Sequence, residues 1–445
     1  MEVSLQEILD AREVRAQKHQ ALLSQFHKPI LCFTMNIPGP VKLDRDVIIG
    51  FFVGTWLLTD RLNGCHILHK ETCQKDTGWE SYYVVDMPAE QLKQLAVETE
   101  DISPIGRLFD MDVIDPSGKK LSREDLNLPK RKCLLCDNDA VVCARSRAHG
   151  LEALQDRTRF LLYLAAKQWM AELIAAKAYF ALIQEVSTTP KPGLVDRNNR
   201  GAHPDMGIKH FFASANALRD YFCRFAETGF LTRDQAPAET FHQIRAIGKE
   251  AEDAMFQATH GVNTHKGAIF SIGLLCAAAG RLCPSGWQPE NLLNECAAMT
   301  QGLCANDFSG ITPENAKTAG ERIYAQHGIT GVRGQAEAGF PPVLNVGLPI
   351  LRKGLQDGLS LNDAGCIALL HLIAATDDTN LISRSDRQTQ LSVKAQIANV
   401  LEKDPAPDLQ TIEALDREFI QKNLSPGGSA DLLAATYFLY FLTGQ

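Results

Sequence analysis

A chain of 445 residues, 45% hydrophobic and 22% charged, is too long for one compact core and has the composition of a folded protein, which excludes a disordered polypeptide and points to two domains. Its net charge of −8 is spread along the chain, which excludes a general nucleic-acid binder and leaves any anionic ligand to local Lys and Arg. The N-terminus carries Glu2, Glu7 and Asp10 without an apolar signal core, and the longest uncharged apolar stretch, Gly267 to Gly280, is shorter than the roughly 20 residues that span a bilayer. A cytoplasmic location with no membrane partner is therefore expected, with the 12 cysteines reduced or binding metal.

In chain order, Leu5 to Gln25 reads as a charged amphipathic helix. Pro29 to Met35 is a short apolar strand stopped by the turn Asn36 to Pro40. Ser81 to Met87 and Leu108 to Ile114 are strand-like, with the helix Glu90 to Val97 between them. Residues 1–165 thus read as a mixed α/β domain. From there the texture changes to Ala/Leu-rich segments broken by Gly- and Pro-rich loops. Asp156 to Gln184, Phe241 to Ala258, Lys266 to Ala279, Pro313 to Gln326, Asn362 to Ala375 and Ser429 to Leu442 are expected helices, so residues 166–445 read as a mainly α-helical domain. The join falls inside a helix near Ala165.

Within the first domain, Asp110 and Asp112 on a strand point to one face, because side chains alternate with period two. Two carboxylates at that spacing can hold Mg²⁺, which shares its shell with substrate phosphates and stabilises departing pyrophosphate. The competing reading is a solvated acidic edge. Further on, Cys133, Cys136, Cys143 and His149 can supply four tetrahedral Zn²⁺ ligands or be structural thiols beside an unrelated His. Their basic neighbours Arg131, Lys132, Arg145 and Arg147 can meet phosphates or an acidic partner protein, or be solvated.

Ile37 to Lys42, Gly106 to Val113, Arg131 to Cys136 and Cys143 to Arg145 occur in the order seen in the apo-citrate lyase phosphoribosyl-dephospho-CoA transferase family, which this domain resembles. The resemblance implies nucleotidyltransferase-like chemistry. A phosphoribosyl-dephospho-CoA unit passes from its triphosphate precursor to a serine of the citrate lyase acyl carrier protein (the gamma subunit), with loss of pyrophosphate. The resemblance assigns the partner and the reaction; the strand spacing independently makes Asp110 and Asp112 the candidate catalytic metal ligands, with Lys42 and Arg107 as candidate substrate contacts. Ser103 stands where the family pattern has a histidine.

Five polar loops interrupt the second domain. The Pro- and Gly-stiffened loop Glu185 to Asp196 presents Lys191 for phosphate, and His203 and Asp205 follow as a possible acid/base His and a carboxylate. Asn263-Thr264-His265-Lys266 opens an apolar helix, where Thr264 is a suitable N-cap and the free amides with Lys266 attract phosphate; an ordinary capped helix is the alternative. Thr330 to Pro341 offers Arg333 to clasp a triphosphate and Glu337 to orient a sugar or complete a metal shell. Asp377 and Asp378, read as the end of an apolar helix, oppose its dipole and so call for a cation, taken as Mg²⁺. Asn380 follows them. Ser425 to Asp431 opens the last helix, where the free amides with Ser425 and Ser429 can face an anion, or Ser429 simply caps, while Asp431 favours the helix dipole.

These loops, in order from Glu185 to the C-terminus, resemble the triphosphoribosyl-dephospho-CoA synthase family, with Gln335 and Ser385-Asp386 departing from its pattern. The resemblance implies condensation of ATP with dephospho-CoA and release of adenine. Attack by a ribose 2′-hydroxyl on the glycosidic carbon builds positive charge there. Asp196, His203, Asp205 and Glu337 are the candidates for acid/base or sugar contacts. Two other readings remain: a nucleotide or ADP-ribose N-glycosidic hydrolase, which the Thr-Asp-Asp-Thr run weakly resembles, and a non-catalytic citrate lyase assembly factor.

Overall fold

Ser4 opens the first helix, α1 (Leu5–Phe26), through a capping box: its hydroxyl accepts from the Glu7 amide while the Glu7 carboxylate accepts from the Ser4 amide. The computed structural model describes residues 2–283 and 286–444, and in it the chain divides into two units, Met1–Met170 and Ala171–Gln445. The first is α/β. After α1 come β1 (Ile30–Met35), α2 (Arg45–Arg61), β2 (Ile67–Cys73), β3 (Glu80–Val85), α3 (Ala89–Asp101), β4 (Phe109–Ile114) and β5 (Lys120–Leu121). The strands form one antiparallel sheet in the order β2-β3-β1-β4-β5. Helices α4 (Ala140–Ser146) and α5 (Leu151–Ala165) and a π-helical turn, Ala166–Met170, complete the unit.

Sheet register sorts the side chains. Cys32 of β1 lies opposite Asp112 and Thr34 opposite Asp110, so both acids share a face with Tyr82, against which Leu22 of α1 packs. The other face carries Phe33, Phe109 and Met111, and Phe33 stacks on Phe51 of α2 at 4.9 Å. A Cβ on Gly54 of α2 would sit 2.4 Å from the Phe33 ring, so glycine is what lets this helix lie against the sheet. Sequence periodicity assigns no element to α2, because Gly50 and Gly54 weaken helix propensity where packing requires them.

The second unit is helical, with no strand among its described residues. It runs through α6 (Ala171–Ser187), α7 (Ile208–Leu231), α8 (Pro237–Ala258), α9 (Lys266–Leu282), α10 (Pro289–Met299), α11 (Leu303–Asp307) and α12 (Ala319–His327). Then follow α13 (Gly331–Glu337), α14 (Leu348–Gln356), α15 (Leu361–Ala375), α16 (Thr379–Arg384), α17 (Arg387–Lys403), α18 (Leu409–Gln421) and α19 (Gly427–Thr443). No helix among the described residues is long and apolar enough to cross a membrane.

Two helix expectations are corrected. Asp156 to Gln184 is not one α-helix, because the π-helical turn separates α5 from α6. Pro313 to Gln326 starts later, where Thr318 and Glu321 form a capping box for α12.

Helix α9 is buried on all sides and forms the centre of the unit. Two glycines let α7 reach it: a Cβ on Gly229 would lie 2.0 Å from the Ala277 carbonyl, and one on Gly280 2.1 Å from the Ala226 carbonyl. Gly280→Ala must push the helices apart, with an expected loss of about 2–3 kcal/mol in denaturant unfolding.

Candidate active sites

In the first unit Asp110 and Asp112 lie on one face of β4, as their spacing implies. The Asp110 carboxylate has no hydrogen-bond partner among the described residues, although its backbone belongs to the β1–β4 ladder. Burial, then the neighbouring Asp112, pushes its carboxyl above the ordinary range. Asp112 is paired with Lys120 of β5 at 2.5 Å. Two near carboxylates, one lacking a partner, fit a divalent cation with oxygen ligands. His19 of α1, whose Nε2 is buried without a partner among the described residues and which burial and Arg15 hold below the ordinary imidazole range while Asp112 pulls the other way, and Lys120 are neighbours that sequence reasoning missed. His19 comes from an element distant in sequence, whereas Lys120 lies eight residues beyond Asp112, on the strand that folds back beside it.

The cations expected to meet substrate are turned inward. Lys42 donates to the Ile37 carbonyl at 2.6 Å. Arg107 donates to the carbonyls of Lys132 and Cys133 at 2.5 and 2.6 Å. Arg131 returns the brace to the carbonyls of Gly106 and Phe109 at 2.8 and 2.5 Å. Lys42 and Arg107 are therefore corrected from free anion contacts to backbone braces. Arg145 and Arg147 are exposed. Cys133, Cys136, Cys143 and His149 come together, with their ligand atoms all within 4.8 Å of one another. Burial opposes ionisation of Cys133, but the amides of Leu135 and Cys136 bring its thiol down to about 7.

In the second unit a cleft of about 900 Å³ gathers Lys191, His203, His265, Lys266, Arg333 and Asp378. Asn263, Thr264, Asp377, Asn380 and Ser425 also line it. Asp196, Asp205, Glu337 and Ser429 do not line the cleft, which corrects their expected contact with substrate. Asp196 accepts from the amides of Lys191, Asn198 and Asn199 and so shapes the Lys191 loop. Glu337 accepts from the amides of Gly302 and Cys304 at the start of α11. Asp205 is exposed, and Ser429 is buried with its hydroxyl on Asp378.

Each expected phosphate cation already has an acid. Lys191 is 1% exposed and paired with Glu185 of α6; Lys266 pairs with Glu252 at 2.8 Å and Arg333 with Asp307 at 2.9 Å. Lys191 is thus a buried ion pair rather than a presented cation. The partly exposed pairs of Lys266 and Arg333 are the ones an incoming triphosphate can rearrange.

Sequence reasoning gave Asp431 only a dipole role in its own helix, and tertiary packing gives it another. Its carboxylate reaches the N-terminus of α9 and accepts from the Ala268 amide, in space left by Gly267, where a Cβ would lie 1.9 Å from Oδ2. Burial first, then Glu185 and Asp378, raises its pKa well above 3.8. Beside it, Thr264 is not the N-cap of α9; His265 is, without a side-chain cap bond. Both Thr264 Oγ1 and His265 Nε2 are buried at the cleft without hydrogen-bond partners among the described residues. Burial and Lys191 push His265 down to about 3, so it stays neutral, with Nδ1 2.7 Å from Ser214 Oγ. His203 accepts from Arg384 at Nδ1, 3.2 Å away, so its neutral ring carries the proton on Nε2 and donates to Ser425 Oγ at 2.7 Å.

The reason for placing a cation at Asp377 and Asp378 is also corrected. Asp378 does not end α15 uncompensated. It is the N-cap of α16, and its oxygens accept from the amides of Asn380, Leu381, Gly428 and Ser429 and from the Ser429 hydroxyl. Asp377 is held by Arg387 at 3.1 Å and Lys394 at 3.0 Å. Protein donors supply the compensation that the acid pair requires. Asp378→Asn turns an NH₂ toward amide hydrogens at two helix starts, with an expected loss of about 2–4 kcal/mol measured by denaturant unfolding of the full chain.

Compared with known proteins, residues 3–163 match the family described as apo-citrate lyase phosphoribosyl-dephospho-CoA transferase (CitX), and residues 171–445 the family described as ATP:dephospho-CoA triphosphoribosyl transferase (CitG). The chain is 36% identical to Protein CitXG of Haemophilus influenzae over 457 residues, covering 100% of this chain and 97% of the relative. It is 34% identical to Protein CitXG of Leuconostoc mesenteroides subsp. cremoris over 464 residues, covering 100% and 98%.

Proposed function

The chain belongs to the CitXG family, with a CitX part followed by a CitG part, and is a transferase that matures the citrate lyase prosthetic group; from that premise we propose how its two sites divide the chemistry. The helical unit condenses ATP with dephospho-CoA and releases adenine. The α/β unit transfers phosphoribosyl-dephospho-CoA to a serine of the citrate lyase acyl carrier protein and releases pyrophosphate. The match of both halves, in order, to transferase families disfavours both a glycosidic hydrolase and a non-catalytic assembly factor.

The observation that carries the helical site is Asp431, a partly buried acid at the cleft whose surroundings push its carboxyl toward the protonated form, beside two polar atoms without partners among the described residues. A carboxylic acid held neutral is suited to protonate departing adenine. The surrounding Glu185 and Asp378 favour positive charge developing on the ribose carbon. Lys266 and Arg333 grip the triphosphate, and Thr264 and His265 supply polar contacts for substrate. In the α/β site Asp110 and Asp112 are the proposed Mg²⁺ ligands. Bound there, the ion would neutralise pyrophosphate as it leaves.

The test is mass spectrometry of apo-acyl carrier protein after incubation with the chain, ATP, dephospho-CoA and Mg²⁺, with adenine measured in parallel. One phosphoribosyl-dephospho-CoA group on a serine, with adenine formed only when dephospho-CoA is present, is the expected result. Adenine formed without dephospho-CoA would mean hydrolysis.

A further inference from the structure

We propose that Cys133, Cys136, Cys143 and His149 bind one structural zinc ion, and that this ion fixes the turn that delivers Asp110 to the sheet. Cys136 Sγ lies 3.6 Å from Cys143 Sγ and 3.3 Å from His149 Nε2. Tetrahedral zinc, with bonds of about 2.3 Å to sulfur and about 2.0 Å to nitrogen, separates its ligand atoms by roughly 3.5–3.8 Å. A disulfide needs sulfurs about 2.05 Å apart and leaves the third Cys and the His without a role.

Local architecture supports a metal rather than packing. Cys133 and Cys136 sit on a turn closed by Cys133 N donating to Asn138 O at 2.7 Å and Ala140 N donating to Arg131 O at 2.9 Å. Cys143 projects from α4, and His149 returns after Arg147, whose φ of 51° reverses the chain. The apolar side chains of α4 do not anchor it: Val141 and Val142 are each 59% exposed. A segment so poor in apolar burial gains its order when ligands converge on an ion. Three thiolates and one imidazole leave no open position, which marks a structural rather than a catalytic ion. Binding releases the thiol protons and leaves the site with net charge −1, beside the Arg107 and Arg131 guanidiniums.

The connection to the carboxylates is direct. Arg107 bonds the carbonyls of Lys132 and Cys133, and Arg131 bonds those of Gly106 and Phe109. The first ligand is thereby braced to the residue that precedes Asp110. The zinc site stands on geometry alone; its effect on transfer rests on the function proposed above.

Elemental analysis of the full chain purified under reducing conditions tests the first claim, with about one zinc per chain expected. Cobalt substitution is expected to give the intense visible bands of tetrahedral thiolate coordination. Cys136→Ser and His149→Ala lose the ion, whereas Cys223→Ser, outside the cluster, keeps it. Should the cluster variants fail to fold, the cobalt spectrum of the wild-type chain decides. A metal-free chain without that spectrum, or unchanged zinc in soluble Cys136→Ser, overturns the site.

For the second claim, zinc removal is expected to slow transfer from supplied triphosphoribosyl-dephospho-CoA about 10–100-fold and to leave adenine release unchanged. Unchanged transfer after zinc loss overturns the positioning role. Absence of transfer in the zinc-loaded chain would instead overturn the functional reading and leave the metal count intact.

Discussion

Asp431→Asn is expected to slow adenine release about 10²–10⁴-fold while transfer from supplied triphosphoribosyl-dephospho-CoA proceeds at the wild-type rate. Asparagine matches aspartate in size and keeps an acceptor for the Ala268 amide, so the start of α9 stays capped. What it lacks is a proton to give. The pH profile separates loss of the acid from loss of shape. Burial beside Glu185 and Asp378 raises the Asp431 pKa, so the wild-type site is loaded with its proton at low pH and empties as pH rises through the raised value. Synthase turnover should therefore fall on the alkaline side, and Asp431→Asn should remove that limb. A wild-type rate in this variant, or the same alkaline limb, would transfer the acid role to another group.

Asp110→Asn is expected to cost transfer about 10²–10³-fold and to leave adenine release untouched. Here the pH dependence has the opposite sign. Burial and Asp112 make Asp110 harder to ionise, and only the ionised form binds a cation well. Transfer should rise with pH as Asp110 loses its proton, whereas adenine release declines as pH rises. Raising Mg²⁺ should move the rise to lower pH in the wild type and have no such effect in Asp110→Asn. Transfer at the wild-type rate without Asp110 would remove the carboxylate pair from the chemistry.

How much was legible in the sequence depended on the distance over which each feature is determined. The common face of Asp110 and Asp112 follows from period-two alternation and holds in β4. The four zinc candidates lie within 17 consecutive positions, 133–149, and do converge. Side chains whose partners lie far away were misread. Arg107 looks like a phosphate contact until the carbonyls of Lys132 and Cys133 arrive beside it. Lys191 looks presented until Glu185 buries it. Asp431 seems to serve its own helix, and only the packing of α19 on α9, made possible by Gly267, carries it into the cleft. The acid pair at 377–378 lines the cleft, but the helix-dipole argument for a cation there fails, because the donors that satisfy Asp378 come partly from residues 428 and 429.

That shared acceptor ties two cleft loops into a single mechanical part. The segments bearing Asn380 and Ser425 are roughly 45 positions apart along the chain, yet both lead into helix starts that end on one carboxylate. Neither can swing outward without stranding donors of the other, so that wall behaves as an anvil. The Arg333 and Lys266 side of the cleft is held differently, by ion pairs that are partly exposed to water and more readily exchanged.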